Sequence, residues 1–255
     1  MFQSARDSRP SWEFFVLLGM ILVGWDLVVR IGDVHPIILP APSAVLQSLF
    51  ETPMDYLKHG LISLGEMVLG FVFGFLVGFG ASVGIFYVPF LRRSVYPLLL
   101  SFRIVPKVAF LPLFLVWFGV GIGTKVILAG FAIFFLVLVQ TLLGLSTVEP
   151  EAIEFGRSLK MSEAAIFRKI RLPSALPAIM VGVKLGITYA LTNVVVAEML
   201  VAREGLGFLV VEAKTSLDTA HLIATIVVVT IIGLFLYAIG VTVERRTTAW
   251  YAEEG

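Results

Sequence analysis

Leu61–Val88 reads LISLGEMVLGFVFGFLVGFGASVGIFYV, and Glu66 is its only charged residue. A bilayer's hydrocarbon core is about 30 Å thick, so a helix crosses it with roughly 20 apolar residues. Only a structure that pairs every backbone N–H and C=O internally can do so. This stretch is longer than the requirement and reads as a transmembrane helix. Gly70, Gly74 and Gly78, with Gly80 and Gly84 beyond them, form a small-xxx-small run that lets a neighbouring helix approach closely. That neighbour lies within one subunit or across a dimer seam.

Four more segments read the same way on either side: Trp12–Ile31, Thr124–Ser146, Ala175–Ala202 and Leu222–Val243. A sixth, Tyr96–Phe118, is long enough but carries Arg103, Pro106, Lys107 and Pro112. Proline removes a backbone donor and kinks a helix, so this crossing is expected to be bent or broken. The basic Met1–Pro10 ahead of Trp12–Ile31 resembles a signal peptide, yet the apolar run spans and no A-x-A-like cleavage site follows. It reads as an uncleaved first helix. The expectation is an all-α, polytopic membrane protein of about six spans, one domain over residues 1–255.

Composition agrees. Of 255 residues, 58% are hydrophobic and 15% charged, with a mean hydropathy of +0.98; soluble domains carry roughly 45–50% apolar and about 25% charged residues. A net charge of +1 supplies no field for nucleic acid. The absence of cysteine excludes disulfides and thiolate metal sites. G-x4-G-K-[ST], H-E-x-x-H and G-x-S-x-G are missing, so no ATP site of that type, no cofactor, no metal and no catalytic residue is expected.

Charge sets the orientation. With the N-terminus in the cytoplasm, Arg6, Arg9, Arg92, Arg93, Arg157, Lys160, Arg168, Lys169, Arg171, Arg245 and Arg246 lie inside. Only Arg30, Lys58, Lys125, Arg203 and Lys214 then lie outside, as the positive-inside rule requires. Both termini are cytoplasmic in this reading. In the outer loop Gly32–Gly60, a helical pattern runs from Ser43 to Phe50, with Ser43 as its N-cap.

The longest inner segment, Val148–Ser174, reads as two short helices. Glu149 and Glu151 flank Pro150 at one start, and Ser162 caps the second. Ala152, Phe155 and Leu159 recur at helical spacing. An apolar stripe of this kind is covered by the protein's own ends, by the lipid interface or by a partner.

Charged residues inside spans are functional candidates by default. Arg103 and Lys107 either line an anion path or snorkel to the interface. Glu66, Lys184 and Glu198 suit an interhelical ion pair or a gate contact, with interface solvation the plain reading for Glu198. Phe114, Met180, Tyr189 and Asn193 line the path or pack helices.

Glu154–Pro173, EFGRSLKMSEAAIFRKIRLP, resembles the cytoplasmic loop of binding-protein-dependent ABC importer permeases, whose pattern is E-A-A-x3-G-x9-I-x-L-P. Glu154, Ile170, Leu172 and Pro173 fall in register. Phe155 and Gly156 replace the two alanines, and Lys160 stands at the turn glycine; a left-handed lysine there costs roughly 1–2 kcal/mol. Ile38–Ser43, Arg103–Gly119, Val195–Met199 and Gly205–Gly207 resemble further motifs of the sulfonate, taurine and nitrate branch.

The resemblance implies a type I ABC importer permease-like core of six helices and a homodimer around a central path. It also implies an ABC ATPase subunit beneath each permease and an extracytoplasmic substrate-binding protein, in a bacterial cytoplasmic membrane. The loop 148–174 would be the ATPase-coupling element, with contacts from Glu154, Phe155, Gly156, Arg157, Lys160, Ser162, Leu172 and Pro173. A small organic or inorganic anion such as a sulfonate, taurine or nitrate would be the cargo. A secondary transporter or channel without an ATPase is the competing reading; it often shows matching broken helices in two halves, and only Arg103–Pro112 is broken here.

Overall fold

A computed structural model describes residues 12–102, 105–201 and 203–248. Its helices are α1 (Trp12–Ile31), α2 (Pro42–Glu51), α3 (Pro53–Tyr87), α4 (Tyr96–Phe102), α5 (Leu111–Phe118), α6 (Ile122–Ser146), α7 (Pro150–Ser158), α8 (Glu163–Ile166), α9 (Leu172–Val201), α10 (Leu206–Thr215) and α11 (Thr219–Thr247). Among the described residues five helical rods are long and apolar enough to cross a membrane: α1, α3, α6, α11, and the continuous Glu163–Val201 that joins α8 to α9. The sixth crossing is not one helix. Tyr96–Phe118 divides into α4, a 3-10 turn at Lys107–Phe110 capped by Pro106, and the eight-residue α5 with Pro112 in its first turn. Pro106 cannot donate to the preceding turn, and Pro112 is tolerated only where a new helix starts. The basic residues Arg6 and Arg9, and Arg103, lie outside the described residues.

Two compact units divide the chain: one formed up to Leu57 together with Leu209–Val228, the other by Lys58–Phe208 and the chain from Val229 onward. In the first, α1 buries none of its residues, as a helix facing lipid does. Helix α2 starts at Pro42 behind Ala41, with no side-chain cap. The Ser43 cap is therefore corrected: Pro42 fits the first helical position by itself and moves the boundary back one residue. Asp218 accepts from the backbone N–H of His221 at 2.9 Å and caps α11. The Tyr56 hydroxyl lies 2.8 Å from His221 Nδ1.

The second unit holds the core. Met67 of α3, Ala129, Ile133 and Val137 of α6, and Ala190, Leu191, Val194 and Val195 of α9 form one buried cluster, with Val229, Ile232 and Leu236 of α11 against it. The glycine run of α3 meets α6 within this chain. A Cβ at Gly70 would stand 2.7 Å from the Ala129 Cβ; one at Gly74 would stand 2.9 Å from both the Gly130 Cα and the Ile133 Cβ. Hydrophobicity cannot drive helix pairing in lipid, so close backbone approach and hydrogen bonds hold this contact. Ser82 Oγ supplies one such bond, 3.1 Å from the Leu138 carbonyl it donates to.

Candidate functional site

Pro150 opens α7 and Glu149 precedes it as the N-cap residue. The helix ends in a Schellman turn. Lys160 N–H donates to the Arg157 carbonyl at 2.9 Å, and Met161 N–H to the Gly156 carbonyl at 3.1 Å, the two bonds that define the motif. Lys160 at the left-handed position has φ 56°. Lysine carries there the cost that the turn glycine of the resembling loops avoids. Lys160→Gly is expected to raise stability by about 1 kcal/mol, read as a higher melting temperature of the detergent-solubilised protein; no rise would place the strain elsewhere.

Met161 leads into Ser162, whose Oγ accepts from Ala165 N–H at 3.2 Å and caps α8. Arg157 bridges the pair of helices: its Nη2 and Nε lie 3.0 and 3.2 Å from Glu163 Oε1. This pair is solvent-exposed, so it sets geometry more than stability. Gly156 is buried, and a Cβ there would approach the Ile170 side chain to 2.8 Å. Ile153, Gly156 and Ile166 face the chain itself, which leaves Phe155 at 65% and Leu159 at 60% exposure. Of the expected stripe, Phe155 and Leu159 thus point away from the protein's own packing, beside exposed Glu154.

Leu172 and Pro173 do not end the loop's second helix. A π-helical turn, Phe167–Arg171, carries α8 directly into α9. The wider turn accommodates Pro173, which has no N–H to donate, and Ser174 Oγ donates to the Ile170 carbonyl at 2.8 Å. The Arg171 guanidinium lies 4.8 Å from the centre of the Phe86 ring, a cation–π contact.

The residues expected along the path separate into distinct places. Lys107, Tyr189 and Asn193 come together with Thr192 around a cavity of about 390 Å³, walled by Phe135 and Leu136. The Lys107 ammonium sits 5.5 Å from the Phe135 ring centre, and Asn193 Nδ2 donates to the Tyr189 carbonyl at 2.8 Å. No carboxylate lines this cavity. Phe114 is buried in an aromatic cluster with Phe110, Phe131, Trp117 and Phe118. Met180 is buried elsewhere on α9. Lys184 Nζ pairs with Glu244 Oε2 of α11 at 2.6 Å.

Glu198 is not solvated at an interface: it is 1% exposed. Its carboxylate accepts from Ser63 Oγ at 2.7 and 2.9 Å and from Gly207 N–H at 2.8 Å. His59 Nδ1 takes the Gly205 N–H, and Ser63 Oγ the Leu206 N–H, each at 2.9 Å. Three successive backbone donors at the start of α10 are thereby captured by side chains of α3 and α9, with a carboxylate at the positive end of the helix. Gly205 has φ 112°, and a Cβ there would overlap the Glu198 carboxylate. The VVAEM and GLG motifs are two halves of this one contact. One turn away, Glu66 pairs with Lys125, a pairing between α3 and α6 that the linear sequence does not signal.

Comparison with known proteins assigns this architecture. The family of binding-protein-dependent transport system inner membrane components matches residues 70–249. The taurine transport system permease protein TauC of Escherichia coli (strain K12) is 32% identical over 92% of this chain and 88% of its own length. The putative aliphatic sulfonates transport permease protein SsuC of Bacillus subtilis (strain 168) is 29% identical over 95% and 89%. Inward-facing structures of the MetNI methionine ABC transporter superpose with a TM-score of 0.65 at 18% identity, over 73% of this chain and 93% of theirs.

The chain belongs to the family of binding-protein-dependent transport system inner membrane components. It is a multi-pass membrane permease subunit of an ATP-binding-cassette transporter, with a type I importer permease fold.

Proposed function

We propose that this permease imports a small organic anion and is driven through α7 and α8 by a separate ABC ATPase. The observation that carries the coupling reading is the outward pair Phe155 and Leu159, uncovered by the chain itself, on a helix fixed by the Schellman turn at Lys160. Glu154, Phe155, Arg157, Lys160 and Ser162 form the contact surface; Gly156, Leu172 and Pro173 shape it from behind. The 1–255 chain acts as one permease domain with both termini in the cytoplasm, it pairs as a homodimer, and a binding protein delivers cargo from outside.

The cavity of Lys107, Tyr189 and Asn193 supports the anion. A cation beside hydroxyl and amide groups, with no carboxylate among the lining residues, favours negative charge in a poorly solvated place. Taurine and aliphatic sulfonates, named for two relatives, match that preference. Lys107→Met should slow ATP-driven uptake of a sulfonate about tenfold or more, with inserted protein unchanged on membrane blots. An unchanged uptake rate would remove Lys107 from the path.

The decisive experiment is reconstitution. Uptake into proteoliposomes should require the ATPase, ATP and the binding protein together, and an ATPase should co-purify with the chain. Gradient-driven uptake by the chain alone would overturn the reading.

A further inference from the structure

A second cavity, of about 740 Å³, opens between the first turns of α6, the end of α9 and the Ile62–Glu66 turn of α3. It differs from the Lys107 cavity in carrying both signs of charge: Glu66, Lys125, Arg203 and Glu204 line it. Glu204 has Lys58 at 3.7 Å on the surface. Glu66 and Lys125 form the floor, their side chains 4% and 7% exposed. Glu198 interacts electrostatically with both, so two carboxylates surround one ammonium there.

Those carboxylates are unequally satisfied. Glu198 accepts from Ser63 and Gly207. Glu66 Oε1 is paired with Lys125, but Oε2 accepts nothing from the protein and is shut off from bulk solvent. A buried carboxylate oxygen without a donor costs its full desolvation, and such groups in native proteins have a partner to come. The group that supplies the partner is a hydrogen-bond donor, and the local excess of negative charge selects a cationic one. Arg203, at the exposed rim, presents the opposite preference to the other end of the same ligand.

We propose that this cavity binds a small zwitterion, its ammonium group seated against Glu66 Oε2 and its acidic group against Arg203. The inference rests on the permease reading and narrows its cargo from organic anions to those that also carry an ammonium group. Only such a molecule satisfies the floor and the rim together. Within the Lys107 cavity the same molecule is held by its acidic end.

Equilibrium dialysis of the purified permease–ATPase complex tests this with three labelled probes: 2-aminoethanesulfonate, ethanesulfonate and ethanolamine. The zwitterion should bind about tenfold or more tighter than either half-molecule. Glu66→Gln should bring it down to the level of ethanesulfonate, and Arg203→Gln to that of ethanolamine. Arg203 sits on an exposed loop, so its variant keeps the test alive if Glu66→Gln fails to yield a folded complex. Ethanesulfonate bound as tightly as the zwitterion, or ethanolamine bound as tightly with no effect of Arg203→Gln, overturns the proposal. A complex with ATP-driven uptake that binds none of the probes refutes the site and leaves the permease reading intact. A complex without ATP-driven uptake of any solute refutes that reading first, and the site with it.

Discussion

Glu154→Lys combined with Phe155→Asp is expected to abolish ATP-driven uptake while the protein remains inserted and folded. Both side chains are exposed, so neither change removes a core contact, and surface substitutions ordinarily shift stability by about 0.5 kcal/mol or less. At an interface the same positions matter more. Phe155 at 65% exposure is the large apolar anchor of α7, and truncating an anchor of that type costs about 2 kcal/mol or more of binding. Reversing the adjacent charge adds like-charge repulsion wherever the partner presents a basic group to Glu154. The measurement is twofold: substrate-stimulated ATPase activity of the reconstituted complex should fall to its unstimulated level, and the ATPase should no longer co-purify. Retention of both would remove α7 from the coupling surface. Ser158→Ala, on the same exposed turn, is the conservative control.

Gly74→Leu should prevent accumulation of folded protein altogether. A Cβ at this position already lies 2.9 Å from the Gly130 Cα and the Ile133 Cβ. The first of these is backbone and cannot rotate away, so α3 and α6 must separate. Overpacking in a well-fitted core costs about 1–3 kcal/mol and occasionally more, and here the separation also breaks the approach on which pairing in lipid depends. Gly80 lies on the same helix with nothing within 4 Å of its Cβ position, so Gly80→Leu should be neutral. Size-exclusion profiles of the two variants, expressed in parallel, decide the matter: equal monodisperse yields would show that the glycine run is not a packing face.

These sites differ in how far the sequence reveals them. Long apolar runs announced α1, α3, α6, α9 and α11, because a membrane imposes length and composition directly on a linear segment. Pro106 and Pro112 announced the broken crossing, and Pro150 and Ser162 the starts of α7 and α8, since caps and prolines act within a few residues. Leu172–Pro173 misled as a terminus: proline breaks a helix only when the lost donor is not absorbed, and the π-turn absorbs it. The Glu66–Lys125 pair and the burial of Glu198 had no local signature. Lys125 sits near Gly121 and Gly123 and reads as a loop cation; its partner is on another helix, chosen by tertiary packing. The cavity of Lys107, Tyr189 and Asn193 was legible only as a set of polar residues in spans, not as a shared place.

The absence of any loop between α8 and α9 has a mechanical meaning. Thirty-nine residues from Glu163 to Val201 form one rod, about 58 Å long at roughly 1.5 Å per residue. Its inner end starts at the Ser162 cap, and its outer end carries Glu198, the carboxylate that clasps Gly207. A thrust delivered by a motor at the capped tip reaches that clasp through a pushrod with a single compliant collar, the π-turn ahead of Pro173. Opening at the far mouth is then geared to displacement at the near tip, with no intervening hinge of coil to let one move without the other.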